Sequence, residues 1–343
     1  MSFPSLQSLN ISFSVPLHKN NPSDDPFASF PHTLKHLSLS HVPLYPSFCN
    51  IFTLTEFTLR DAAFAYPLDT LLDILEDNPS LTYVVLGIQF KSHALCKSNR
   101  TTTIRNKLEH LGLGVNSSNE TDIKTLISYI PLHKGAELSI TYDGTCVGVR
   151  TILPNIINPV HFENIASHTH MEYSSFLLRF IGPDGSFNFQ LLGVTGDPLS
   201  FRRLYRVQGL LVLCRDIRTL HMYEDGVFDP LLLPALETLV VEQDRMPSNT
   251  LANLFSSPKL CPKLQKLVFW QCSISEDFLK ELTQFASDLK NTTPGQLNCI
   301  EIVLKEELFE SGDLVHELGK HVQQKVLVKR RLPGCPDVLI VDV

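Results

Sequence analysis

A six-residue pattern, Leu-x-x-Leu-x-Leu with other large apolar residues admitted, recurs along most of the 343-residue chain. It stands at Leu6/Leu9/Ile11, Leu34/Leu37/Leu39, Leu54/Phe57/Leu59, Leu81/Val84/Leu86 and Leu108/Leu111/Leu113. It returns at Ile217/Leu220/Met222, Leu236/Leu239/Val241, Leu264/Leu267/Phe269 and Leu297/Ile300/Ile302. Between first residues the steps are 28, 20, 27 and 27 up to Leu108, then 19, 28 and 33 from Ile217 to Leu297. A weaker copy, Gly135-x-x-Leu138-x-Ile140, begins 27 residues after Leu108, and the 82 residues from there to Ile217 leave room for two further units whose hexads have decayed. One such hexad arises by chance in any leucine-rich segment. Nine in near-register do not.

Side chains alternate along a strand, so the apolar residues of each hexad face one side and the residues between them the other. A strand of this kind cannot bury its apolar face alone, and stacking many at a fixed period gives a leucine-rich-repeat solenoid. The expected fold is α/β: a right-handed superhelix with a parallel concave sheet and with helices and irregular returns on the convex side. Strands are expected at 36–40, 56–60, 83–87, 110–114, 138–142, 219–223, 238–242, 266–270 and 299–303. A solenoid grows in one dimension, so residues 1–343 are read as a single one.

The returns carry helical spacing where they are long enough. Leu68, Leu71, Leu72, Ile74 and Leu75 form one such stripe, stopped at Asn78-Pro79. Residues 121–130 form another, stopped at Pro131. Residues 250–255 are shorter, and 276–290 carry the longest stripe, through Phe278, Leu279, Leu282, Phe285 and Leu289. The 22 prolines fall mainly in the connections. The centre, 145–206, reads as a degenerate or inserted section, with a hairpin formed by Phe176–Ile181, a turn at Gly182–Gly185 and Phe187–Leu191. At the end, 312–343 reads as a cap: a helix over 312–322 and strands over 325–328 and 338–341, closing an apolar stack that would otherwise be open.

Composition narrows the functional classes. A net charge of -7 and a pI near 6.0 argue against a nucleic-acid partner, which would call for a basic face. The one basic run, Lys329-Arg330-Arg331, is read as solvated surface. No stretch approaches the ~18 apolar residues of a membrane span, and no secretory leader is recognisable. Eight scattered cysteines without a Cys-x-x-Cys pair indicate a reducing compartment, cytoplasmic or nuclear. The triplets Asn10-Ile-Ser12 and Asn291-Thr-Thr293 are then chance matches to a glycosylation signal.

Three constellations could carry chemistry. Gly144-Thr-Cys146-Val-Gly148 has the form of a nucleophile elbow with cysteine in place of serine, so a Cys146-dependent hydrolase is the alternative function. It also sits where a repeat strand turns, which accounts for it without catalysis. His161, His168 and His170 form a loose histidine cluster without a carboxylate or thiol at ligand spacing. Leu111-Gly112-Leu113-Gly114 resembles part of a dinucleotide loop, but its leucines are repeat positions and no third glycine follows. No catalytic residue, metal ligand or cofactor site is assigned.

The outward positions of the hexads are the candidate binding surface. They include His36, Glu56 and Arg60, then Tyr83 and His110, and later His221, Tyr223, Glu242, Lys266 and Trp270. Aromatic, histidine and mixed charged residues of this kind compose a protein-binding patch, in which Tyr, Trp and Arg act as anchors. Tyr223 and Trp270, the only tryptophan, are the expected main anchors.

Phrases such as Lys107-Leu-Glu-His-Leu-Gly-Leu, His161-Phe-Glu-Asn-Ile, Phe180-Ile-Gly-Pro-Asp-Gly-Ser-Phe, Pro234-Ala-Leu-Glu-Thr-Leu and Glu276-Asp-Phe-Leu-Lys-Glu-Leu resemble the repeat region of basidiomycete F-box-like proteins. The likeness extends over nearly the whole chain and is one of pattern. It implies a non-catalytic interaction module that selects a substrate protein for a cullin-type ubiquitin ligase. In that family an F-box docks the ligase adaptor. Here Leu6 already lies in a repeat, so adaptor binding is expected only if an F-box is supplied upstream.

Overall fold

The computed structural model describes residues 5–12, 33–42, 51–64, 68–90, 107–116, 120–130, 132, 135–143, 168–174, 177–183, 185–192, 214–223, 233–242, 254–255, 261–272, 274–292, 297–304, 312–322, 325–330 and 341–342. The chain forms two compact units, one of Met1–Ile165 and Pro183–Gly196, the other of Ala166–Gly182 and Asp197–Val343.

Among the described residues the first unit is built on seven strands: β1 (Ser8–Ser12), β2 (His36–Ser40), β3 (Glu56–Phe64), β4 (Tyr83–Phe90), β5 (His110–Asn116), β6 (Glu137–Asp143) and β9 (Gly185–Leu192). They pair in that order and all in parallel. Register follows the hexads. Leu37, Phe57, Val84, Leu111, Leu138 and Phe187 stand beside one another, as do Leu39, Leu59, Leu86, Leu113, Ile140 and Phe189. All of these side chains are buried. Helices α1 (Leu68–Asp77) and α2 (Glu120–Tyr129) occupy two of the returns, and the stripes Leu68/Leu71/Leu72/Leu75 and Ile123/Leu126/Ile127 are buried.

In the second unit the strand order is β8 (Leu177–Gly182), β7 (His170–Tyr173), β10 (Thr219–Tyr223), β11 (Thr238–Glu242), β12 (Lys266–Cys272), β13 (Cys299–Leu304), β14 (Lys325–Arg330) and β15 (Val341–Asp342). From β7 to β14 the pairing is parallel, while β8 and β15 run antiparallel to their neighbours. Helix α3 (Glu276–Thr292) starts where Ser275 caps it, its Oγ accepting the Phe278 N–H at 3.2 Å. Glu276 and Asp277 in the first turn and Lys290 in the last agree with the helix dipole. The α3 stripe is buried, and Phe278 meets Phe269 of β12 edge-on with centroids 5.4 Å apart. Helix α4 (Gly312–Gly319) follows, and Lys290 Nζ donates to the Lys320 carbonyl at 2.7 Å just beyond it.

Every strand expected from the hexads is present, and the α/β class with a mostly parallel sheet holds in each unit. Within 145–206 both strands expected around the Gly182–Gly185 turn are present, as β8 and β9. A hairpin not expected from the sequence, β7–β8, is closed at Ser174, whose N–H donates to the Leu177 carbonyl at 2.8 Å while its Oγ accepts the Leu177 N–H at 3.0 Å. β9 continues the parallel ladder from β6 with Phe187 and Phe189 in the leucine positions. β7 does the same beside β10 with Met171 and Tyr173, and His168 holds the place of the first leucine, buried and tilted against Phe180. Gly185 opens β9 at φ 134°, and a Cβ there would collide with the Ala136 carbonyl oxygen. The expected helix at 250–255 is described only at Leu254 and Phe255; of the cap strands, 325–328 is present in β14 and 338–341 is described only at Val341.

Register is held by the backbone. At the start of eight of the strands, β2–β5 and β10–β13, one carbonyl of the preceding repeat accepts two successive N–H groups. Gln7 accepts from Lys35 and His36, Lys35 from Thr55 and Glu56, Thr55 from Thr82 and Tyr83, and Thr82 from Glu109 and His110. In the second unit Thr169, Arg218, Glu237 and Gln265 do the same. A side chain adds one clamp: buried Asn78, at the end of α1, accepts the Leu54 N–H at 3.0 Å and donates to the Ile51 and Ile74 carbonyls at 2.7 and 2.8 Å.

Replacing Leu111 or Leu267 by alanine is expected to cost about 2–5 kcal/mol, the usual range for a buried leucine, and an unchanged urea midpoint would refute the core assignment. Asn78→Ala leaves three buried backbone groups without their partner, at about 1–3 kcal/mol for an orphaned group. Asn78→Asp, which removes both donated bonds, should also destabilise, and equilibrium unfolding of the pair checks this.

Candidate functional site

Each unit presents the polar side of its strands opposite the core, and in parallel register the outward residues of neighbouring strands line up in rows. In the first unit one row runs His36, Glu56, Tyr83, His110, Glu137. His36 Nδ1 lies 3.1 Å from Glu56 Oε2, and His110 Nδ1 lies 3.2 Å from Glu137 Oε2. Tyr83 stacks on His110 with centroids 4.4 Å apart and planes within 10°, and its side is 38% exposed. Arg60 stands four residues beyond Glu56, exposed, in a row with Gly87 and Gly114. At Gly114 an added Cβ would come 3.0 Å from the Gly87 Cα, so close approach of β4 and β5 keeps side chains off this part of the row.

In the second unit the face of β8, β7, β10 and β11 gathers His170, Glu172, Arg179, His221, Tyr223 and Glu242. Arg179 Nη1 is 3.4 Å and His170 Nε2 3.7 Å from the Glu172 carboxylate. His221 Nε2 lies 3.1 Å from Glu242 Oε2, and its ring stacks on Tyr223 at 4.1 Å. Burial raises the Tyr223 hydroxyl pKa, with Glu172 and Glu242 adding to the rise. Burial also lowers His170, and it outweighs the attraction of Glu172, with His221 and Arg179 acting in the same downward direction. On β12 and β13, Lys266 Nζ pairs with Glu301 at 3.1 Å, and Trp270 is 36% exposed. Partly exposed pairs of this sort contribute little stability singly, about 0–1 kcal/mol. Their effect is to fix the orientation of polar groups on the face.

Of the ten residues picked from the sequence, the structure brings His36 to Glu56, Tyr83 to His110, and His221 to both Tyr223 and Glu242. Lys266 is engaged elsewhere, by Glu301. Outward register does not guarantee exposure: Val268, Glu301 and Val303 are buried, Glu301 beside the Lys266 ammonium. Gly112 is buried beside Val85 and His110. Sequence reasoning missed Glu137, Glu172 and Arg179. Glu137 lies within a hexad that opens with glycine, and Glu172 within one that opens with histidine. Arg179 lies on a strand with no hexad. Alternation alone, Leu177-x-Arg179-x-Ile181, was the available signal.

The histidine cluster does not assemble. His168 is buried in the core, His170 is on the face, and His161 lies outside the described residues. Among the described residues no group of three or more His, Cys, Asp or Glu side chains could hold a metal ion. Cys146 also lies outside them. Of the described cysteines, Cys214 and Cys261 are buried, and burial pushes the Cys214 thiol up to about 12, which keeps it protonated and unreactive. No described helix is long and apolar enough to cross a membrane. Compared with models of known families the chain matches none, and no curated protein matches it.

The His170 pKa is lowered in the folded chain, so the native state takes up its proton less readily than the unfolded chain. Its contribution to stability is full above the ordinary histidine value of 6.5 and is lost as pH falls below it. His170→Gln should therefore flatten the decline in unfolding free energy between pH 7.5 and 5.5, measured by urea denaturation. A decline as steep as that of the parent chain would count against this assignment.

Proposed function

We propose that the chain is a non-catalytic protein-interaction module, a right-handed leucine-rich-repeat solenoid that binds a protein partner on the concave side of its sheet. The reading is carried by one observation: histidine, tyrosine, tryptophan and paired charges recur in register across the strands, on the side away from the core. Such rows offer large, rigid contact area whose polar groups are already oriented, which lowers the ordering cost of association. Selection of a substrate for a cullin-type ubiquitin ligase is the use suggested by the resemblance to F-box-like proteins. With that resemblance the chain supplies recognition, and an F-box joined upstream supplies the adaptor contact.

The test compares proteins captured from lysate of the source organism by the parent chain with those captured by two variants, Tyr83→Ala/His110→Ala and Tyr223→Ala/Trp270→Ala. A partner of the face should be depleted at least ten-fold by one or both, as aromatic anchors cost about 2 kcal/mol or more on truncation. Circular dichroism should show both variants folded, since these side chains lie outside the core. Equal capture by all three proteins would refute the reading.

A further inference from the structure

Tyr223, Glu242 and Trp270 are direct neighbours in register on β10, β11 and β12. Each lies outward of a buried residue: Met222, Val241 and Phe269. At the usual strand spacing the two aromatic residues start about 9–10 Å apart, with the glutamate between them. That gap is wide enough for one cationic group to lie against both rings, within the ~6 Å reach over which a ring face attracts a cation. The Glu242 side chain is 33% exposed. Its Oε2 faces His221 Nε2, and among the described residues its Oε1 has no hydrogen-bond partner.

Among the described residues, the charges around it leave this spot negative. Lys266, the lysine on the neighbouring strand, is drawn to Glu301, and Arg179 is drawn to Glu172. Neither is paired with Glu242. The His221–Tyr223 stack fixes one wall. Resting on the binding role assigned above, we propose that Tyr223, Glu242 and Trp270 form a pocket for an arginine or lysine side chain of the partner protein. The carboxylate takes a charge-assisted hydrogen bond from the cation through Oε1, and the rings flank its apolar stem and charged head. A guanidinium suits the gap well, being planar and weakly hydrated.

Trp270 is the only tryptophan, so its emission reports on this pocket alone. The full chain is titrated with the capped peptide Gly-Ser-Gly-Arg-Gly-Ser-Gly, with its lysine counterpart and with a neutral version carrying citrulline. The indole N–H resonance of the labelled protein serves as a second readout. Saturable responses to the arginine and lysine peptides are expected, with at least ten-fold weaker response to citrulline. Glu242→Gln, which keeps the shape and removes the charge, should weaken the arginine peptide at least ten-fold, and Tyr223→Ala should do the same. Glu276→Gln on α3 removes a carboxylate from the same unit away from the strand rows and should leave the titration unchanged. Equal response to citrulline, no response to any peptide, or indifference to Glu242→Gln would overturn the pocket. If the peptides fail while Tyr223→Ala/Trp270→Ala still releases the captured partner, the binding role stands without this pocket. If neither that variant nor Tyr83→Ala/His110→Ala depletes any captured protein, both readings fall.

Discussion

A strand with apolar side chains on one side only has nowhere to put them by itself. In both units that difficulty is met by the same device, a parallel neighbour carrying the same pattern at the same height. Leu111 is buried because Val84 and Leu138 stand on either side of it, and each of those depends on the next strand in turn. The rest follows from this mutual dependence. Helices α1, α2 and α3 form because their apolar stripes have a core to cover, and the polar side of the strands is left to present whatever side chains the sequence places there.

The dependence also explains which irregularities are tolerated. β9 carries phenylalanine at both inward positions, and β7 carries methionine and tyrosine, yet both pair in register with leucine-bearing strands. What the inward positions require is large apolar volume, and leucine is only its commonest form. His168 shows how far this extends: a polar ring takes a leucine position and is buried against Phe180.

Much of the fold was legible for that reason. The hexads located the strands from β2 to β6 and from β10 to β13 because burial repeats identically in each unit, and sequence periodicity records burial directly. β7 and the repeat role of β9 were harder to find, since a search keyed to leucine passes over Met171/Tyr173 and Phe187/Phe189. The strands on either side of Gly182-Pro-Asp-Gly185 were legible from that turn signal, whereas the β7–β8 hairpin was missed because Ser174 closes it through hydrogen bonds that no spacing reveals. At the site, alternation identified the outward residues but not their partners. The Tyr83–His110 stack and the His221–Glu242 contact join residues 27 and 21 positions apart, and only register brings them together. Asn78 read as a helix stop, whereas its three hydrogen bonds tie the return to the next strand.

The doubly accepting carbonyls have a consequence for how such a chain can change over time. At β2–β5 and β10–β13 alignment is set at the first residues by main-chain bonds, independent of how much chain came before. Steps of 19 and 33 residues therefore deliver their strands to the same height. Insertions and deletions in the returns can accumulate without shifting the rows sideways, and outward side chains can be exchanged without disturbing the clamp. Proline is the exception, since residues such as Thr82, Tyr83, Glu237 and Thr238 each contribute an N–H that it lacks. Such a framework permits wide variation in what it recognises while holding constant where recognition takes place.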